Sequence, residues 1–359
     1  MLSRLVILFA AALVMSACSS ESAVLTPTFR FFVPFGESKG AMGSAVVTND
    51  RMPMVGTCVV HDDQLAMFDR ETGRILVFST DGKLRIDRVL DKLETKNAWP
   101  APVLAVGTAG AWLAKAEGSA EKRKYRVHAV PDDTSPVTTA VVFPATSEEI
   151  LGKGDESIEH ILMERLIPHD SEKLIAVWHG VTRRGNADIV SAIAFSIADL
   201  ATRKITSHRI NFEEIKKTES GDARFDTVTS VHHFTDARRF VIEVQYRKAD
   251  IRNPFEKALF LLDIEKNTLS KIDLPRAHWN AFAGIARDGS LFFIEDVLMH
   301  NTSTRAIISI YRMDTAKEAR YAIEADPSRP TLGNFVFSRE GALYGYEVFD
   351  RGVNFYSWK

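Results

Sequence analysis

Apolar residues recur along this chain with a period of two. Over Arg239–Arg247, Phe240, Ile242, Val244 and Tyr246 fall on one side, and Val241, Glu243, Gln245 and Arg247 on the other. Ile189, Ser191, Ile193 and Phe195 repeat the spacing. Successive side chains of a strand point to opposite faces, so this alternation predicts half-buried strands. Apolar stripes of helical period are scarce, and the fold class expected is all-β.

The strands come in a repeating unit: an apolar strand, a tight polar turn, a second strand, a longer connection, a third strand, another tight turn and a fourth strand. The first tight turns centre near residues 62, 108, 170, 236, 288 and 340, at spacings of 46, 62, 66, 52 and 52. Asp69–Gly73, Ala198–Thr202, Asp263–Thr268 and Asp314–Lys317 read as the later tight turns. Asp, Asn and Gly recur in them because they accept left-handed backbone or bond their own turn. Four-stranded propeller blades run ~40–50 residues before insertions, which predicts six blades. Ser157–Leu166 also fits a helix, with apolar residues at 158, 161, 162 and 166, but the turn after it falls in register for an inner strand. Glu213–Glu219 reads as a short helix inserted between blades three and four.

The last blade has three strands, at Thr331–Ser338, Ala342–Val348 and Val353–Trp358, before the sequence ends. Its open edge needs a partner. The aromatic segment Phe29–Phe35 supplies one: Phe29, Phe31, Val33 and Phe35 alternate towards a neighbouring blade, and Pro34, lacking an amide hydrogen, suits an outermost strand. Residues 29–359 thus resemble the six-bladed β-propeller superfamily, which includes TolB-like, NHL-type and lactonase-type proteins. The resemblance lies in pattern and repeat count; it implies a six-bladed β-propeller of four-stranded antiparallel blades, its ring closed by an N-terminal strand, and leaves function open.

Ahead of the propeller, Leu5–Met15 is an apolar run of 11 residues after Arg4, followed by Ser16-Ala17-Cys18 and the polar Ser19-Ser20-Glu21-Ser22. The run is too short for a permanent membrane span and reads as a secretory signal. Met15-Ser16-Ala17-Cys18 resembles the lipobox of bacterial lipoproteins, with Met15 in place of the commoner leucine. That resemblance implies cleavage before Cys18 and acylation of its sulfur and amine, hence a stable lipid anchor in the cell envelope. The expected organisation is a signal peptide at 1–17, a lipidated tether at 18–28 and one propeller domain at 29–359. Cys58, the other cysteine, sits in the apolar run Val55–Val60 and reads as a small buried hydrophobe.

Composition narrows the functions. Of 359 residues, 45 are Lys or Arg and 47 Asp or Glu. The balance gives no reason to expect nucleic acid as a partner, and two cysteines exclude a disulfide scaffold. Gly36-Glu37-Ser38-Lys39-Gly40 matches the G-x-S-x-G nucleophile elbow, but too little chain precedes it to build the sheet that an elbow crowns. His160 and Glu164 lack a second histidine for a zinc site, and His232-His233 place one imidazole on each side of a strand.

Propeller geometry puts the inter-blade connections and the second-to-third-strand connections on one face, where binding residues are expected. Trp99, Glu159, Asp226, Trp279, Asn280 and Asn334 should ring the channel there. The leading expectation is a membrane-anchored module that binds an envelope protein or a small ligand without catalysis. Glu159, Asp226, Asn280 and Asn334 also resemble, in residue type, the calcium ligands of lactonase-type propellers. The alternative is therefore a calcium-dependent hydrolase, and a further one is a structural component of an envelope assembly.

Overall fold

The protein is described by a computed structural model at residues 23–358, except 26, 37, 43, 48–49, 54, 62–63, 70–71, 91–99, 108–109, 120–121, 133–134, 152–157, 170–171, 186, 211–214, 216–223, 235–237, 249–254, 275–280, 301–302, 325–334, 338–342 and 350. It is an all-β, six-bladed propeller of four-stranded antiparallel blades. Blade one comprises Val55–His61, Gln64–Asp69, Arg74–Ser79 and Leu84–Val89; blade two comprises Val103–Gly107, Gly110–Glu117, Lys124–Val130 and Thr138–Pro144. Blade three comprises His160–Pro168, Lys173–Arg184, Ala187–Asp199 and Ile205–Arg209; blade four comprises Arg224–His233, Arg239–Arg247, Phe255–Asp263 and Thr268–Ile272. Blade five runs through Ala281–Ile285, Leu291–His300, Ser303–Arg312 and Lys317–Glu324.

Blade six takes Phe335–Phe337, Leu343–Phe349 and Gly352–Trp358 from the C-terminus and Pro27–Pro34 from the N-terminus as its outermost strand. The first strand of each blade is innermost, and these strands line the channel. A hairpin, Ser44–Val47 with Asp50–Pro53, precedes blade one.

The core is a ring of layers between blades. The middle strands of the blades bury side chains on both faces, as Lys173–Arg184 and Arg239–Arg247 do. Trp178 packs edge-on against Tyr125 at 5.5 Å and Phe143 at 5.9 Å, locking blade three to blade two. Phe195 meets Phe240 at 4.3 Å between blades three and four. The closing joint joins Val33 and Phe355 of blade six to Leu65, Met67, Leu76 and Phe78 of blade one.

The closing strand differs from a plain alternating stripe. Arg30 sits at a bulge, where the register shifts between Phe29 and Phe31, and its Nε donates to Ser357 Oγ at 2.6 Å. A bulge inserts one residue and flips what precedes it to the other face. Phe31 therefore packs inward, whereas Phe29 is 54% exposed. The stretch expected to be a tether is also partly sheet: Ala23–Leu25 pairs in parallel with Lys317–Glu324 as a fifth strand of blade five, so the N-terminal segment joins blades five and six.

Two further readings are corrected. Asp69–Gly73 connects the second and third strands of blade one, and Thr80–Lys83 the third and fourth. The second-to-third-strand connections are not uniformly long. Blades three, five and six close them with two residues, as the pairs Arg184↔Ala187, His300↔Ser303 and Phe349↔Gly352 show. The β-branched Val181, Thr182, Ile189 and Val190 keep the ladder going beyond the body of blade three, whose middle strands have 12 and 13 residues.

Strand pairing of blade three begins at His160, and a helix unforeseen in the sequence, Ser147–Leu151, precedes it. Thr146 caps that helix, its Oγ1 accepting from Glu149 N at 3.3 Å. Of Glu213–Glu219 only Ile215 lies among the described residues; it is helical and buried, its carbonyl accepting from Tyr246 Oη at 3.2 Å.

Candidate binding site at the channel mouth

Asp226 is the third residue of blade four's innermost strand and lies at a bulge, where the register shifts between Phe225 and Thr227. The bulge turns an otherwise alternating position into a buried carboxylate near the face of inter-blade connections. Gln245 Nε2 donates to its Oδ2 at 2.9 Å. Its Oδ1 faces two guanidinium groups, Arg247 Nη2 at 3.6 Å and Arg184 Nη1 at 3.9 Å. Arg247 ends the second strand of blade four, and Arg184 ends the second strand of blade three. Two projecting hairpins from neighbouring blades thus meet over one carboxylate. Val190 N, donating to Thr227 Oγ1 at 3.0 Å, ties blade three to blade four beside them.

Below the mouth lies a second polar layer. Glu243 is buried; its Oε1 accepts from Phe282 N at 3.2 Å and pairs with Lys257 Nζ at 3.3 Å, while Thr229 donates to Oε2. Those contacts stitch blade four to blade five, a structural duty.

In blade three the register shift between Met163 and Arg165 leaves Glu164 unpaired, with its Oε2 3.8 Å from His179 Nδ1. Burial raises the Glu164 carboxyl and Arg165 partly offsets the shift. Burial, helped by Arg165, pushes His179 down to about 4, so its imidazole is neutral near pH 7. His232 is likewise held well below its ordinary value, by burial first and then by Arg165 and His233. The two adjacent imidazoles pack apart: His232 lies edge-on to Phe282 at 4.6 Å, and His233 is 6.4 Å from Phe240.

Of the six residues nominated from sequence, Glu159 and Asp226 are described; Trp99, Trp279, Asn280 and Asn334 lie outside the described residues, as do Cys18 and the side chain of Cys58. Glu159 is exposed just ahead of blade three's inner strand, its backbone N donating to Val181 O at 2.9 Å. Asp226 accepts one amide hydrogen bond and faces two guanidinium groups. Among the described residues, no group of three or more His, Cys, Asp or Glu converges as a metal site. Ser38 of the G-x-S-x-G match is an exposed turn residue whose carbonyl accepts from Arg74 Nη1 at 3.0 Å.

Sequence reasoning missed Arg184, Gln245 and Arg247. Their signal was present: Gln245 and Arg247 share the polar side of the clearest alternating strand, and Arg184 precedes Gly185 at a hairpin tip. A cleft of about 730 Å³ opens on the opposite, tight-turn side of blade five, lined by residues including Asp288, Phe292 and Arg312. It contains none of the nominated residues.

No protein-family profile and no curated protein matches the sequence. Solved structures are similar at the level of the fold. The Dos1 propeller is 12% identical with a TM-score of 0.42, over 88% of this chain and 81% of that one. TolB from Acinetobacter baumannii is 10% identical with a TM-score of 0.37, over 80% of this chain and 59% of that one. The extracellular domain of the putative one-component system BT4673 from B. thetaiotaomicron is 13% identical with a TM-score of 0.39, over 94% of this chain and 39% of that one. Each of these likenesses is one of fold alone.

Proposed function

We propose that this chain is a lipid-anchored, non-catalytic binding protein of the bacterial cell envelope, whose propeller takes an envelope protein or small ligand on the face of its inter-blade connections. The observation that carries the reading is the polar assembly over Asp226. The interface between blades three and four is closed by an apolar layer, so holding those two blades together does not call for a carboxylate, an amide and two arginines at the mouth. Polar groups placed by a rigid scaffold at a channel opening are the common form of a recognition site. The lipobox-like Met15–Cys18 supports the anchor, and the segment from Cys18 to Ala23 gives it a short reach.

Pull-down from detergent-solubilised envelope tests the binding. A partner captured by the wild-type chain and lost with Asp226→Ala, at unchanged melting temperature, is the expected result. Equal capture by both proteins would move the site elsewhere. Metabolic labelling with a palmitate analogue tests the anchor: Cys18→Ala should abolish it, and undiminished labelling would remove the lipoprotein reading.

A further inference from the structure

Arg184 and Arg247 converge on Asp226 at the tips of blades three and four, and Arg224 lies in register beside them. In the antiparallel register, Arg224 stands directly opposite Arg247. Like charges in that position repel, and alternation does not force an arginine at the end of a strand. Arg184 reaches in from the adjoining hairpin. Asp226 offsets one of these three charges, which leaves a surplus of two among the described residues of the cluster. Two neighbouring lysines are matched: Lys248 pairs with Glu256 at 2.5 Å and Lys257 with Glu243 at 3.3 Å. Arg184 and Arg247 are 65% and 64% exposed, and their contacts to Asp226 leave most of their N–H groups turned outward. Arg247 also lies over the exposed Phe255 ring at 5.6 Å, which adds an apolar shelf beside the charges.

We propose that Arg184, Arg224 and Arg247, oriented by Asp226 and Gln245, form an anchoring site for an acidic protein segment, two of whose carboxylates enter between the hairpins of blades three and four. The planar guanidinium fork matches a carboxylate bidentately, and a buried carboxylate that fixes two forks in advance lowers the ordering cost of binding. The inference rests on the binding-face reading above and supplies the chemical class of its partner.

A partner protein fits better than an anionic bilayer. A bilayer presents laterally uniform negative charge, whereas this side of the ring is mixed. The inter-blade segments 144–157 and 211–226 carry net charges of −3 and −2. Mixed charge of that kind does not complement a laterally uniform anionic surface, whereas a short acidic segment needs only the arginines themselves.

The test uses the full mature chain in neutral detergent and a fluorescein-labelled hexaglutamate peptide, read by anisotropy at ~50 mM salt, where surface electrostatics are least screened. Saturable binding is expected, weakened at least tenfold by Arg224→Ala and by Arg247→Ala, and lost at ~500 mM salt. Arg238→Ala, on the tight-turn side, should leave it unchanged. Among the described residues the Arg224 side chain makes no hydrogen bond or ion pair, and a melting curve shows that each variant folds. Equal affinity in both arginine variants overturns the proposal. So does binding to phosphatidylglycerol vesicles without binding to the peptide. If an envelope partner is captured equally well by the wild type and both variants, the binding face stands and this acidic-segment site falls. If hexaglutamate binds as expected but that face captures no envelope partner, the reverse holds.

Discussion

Replacing Phe31 by alanine should loosen the joint that closes the ring, and Phe29→Ala should not. Phe31 stacks on Phe355 at 4.9 Å and leans on Phe78 of blade one at 5.2 Å. Burying a phenylalanine contributes ~1.5–3 kcal/mol, and each well-placed ring pair a further ~0.5–1.5 kcal/mol. Phe31 keeps some exposure, so the expected loss is about 2–4 kcal/mol. Phe29 is 54% exposed with one edge contact, to Tyr356 at 6.0 Å, and its removal should cost less than ~1 kcal/mol. Unfolding entropy of ~2.1 cal/mol/K per residue, over roughly 330 residues, converts the larger loss to a melting shift of about 3–6 °C.

Gly352→Ala attacks the same joint from the other strand. An added Cβ would lie 2.2 Å from Val33 O and 2.6 Å from the Phe32 ring, so the closing strand must move away. Urea unfolding followed by tryptophan fluorescence measures all three variants. Equal losses for Phe29→Ala and Phe31→Ala would refute the bulge at Arg30. A Gly352→Ala protein as stable as the wild type would refute the close pairing.

Stability should fall as pH drops from about 6.5 towards 4. His179 has a lowered folded value, so the unfolded chain takes up its proton first; that loss amounts to ~3 kcal/mol at about 1.4 kcal/mol per unit and levels off near pH 4. His232 adds in the same direction, Glu164 opposes it because its folded value is raised, and His179→Gln should flatten the pH profile of urea midpoints. Glu243→Ala should cost about 3–5 kcal/mol in chemical denaturation, because it removes the buried carboxylate that accepts from Phe282 N and faces Lys257; a loss under ~1 kcal/mol would contradict the structural duty given to Glu243.

The blade count was readable because the tight turns carry their own chemistry. Asp199 Oδ1 accepts from Thr202 N at 2.7 Å, and Asp263 Oδ1 from Glu265 N and Lys266 N at 3.1 Å, so each aspartate marks its turn in the sequence. The aromatic segment at the N-terminus stood out because a strand without a neighbour must find one. Bulges were not readable: Arg30, Glu164 and Asp226 each depend on the partner strand's register, which period-two alternation alone does not encode. The reach of the hairpins was hidden for a related reason, since polar residues at a hairpin tip look like loop until the opposing strand is known. The cap at Thr146 with Glu149 had a local signature, and the strand-rich surroundings masked it.

The central claim is that the inter-blade face of this propeller is where a partner binds. A photo-crosslinking amino acid placed at Gly185, the exposed hairpin tip of blade three, and separately at Lys266, in the tight turn of blade four, tests it in living cells. Adducts from position 185 and none from position 266 are the predicted result. Adducts from position 266, with position 185 silent, would contradict the account.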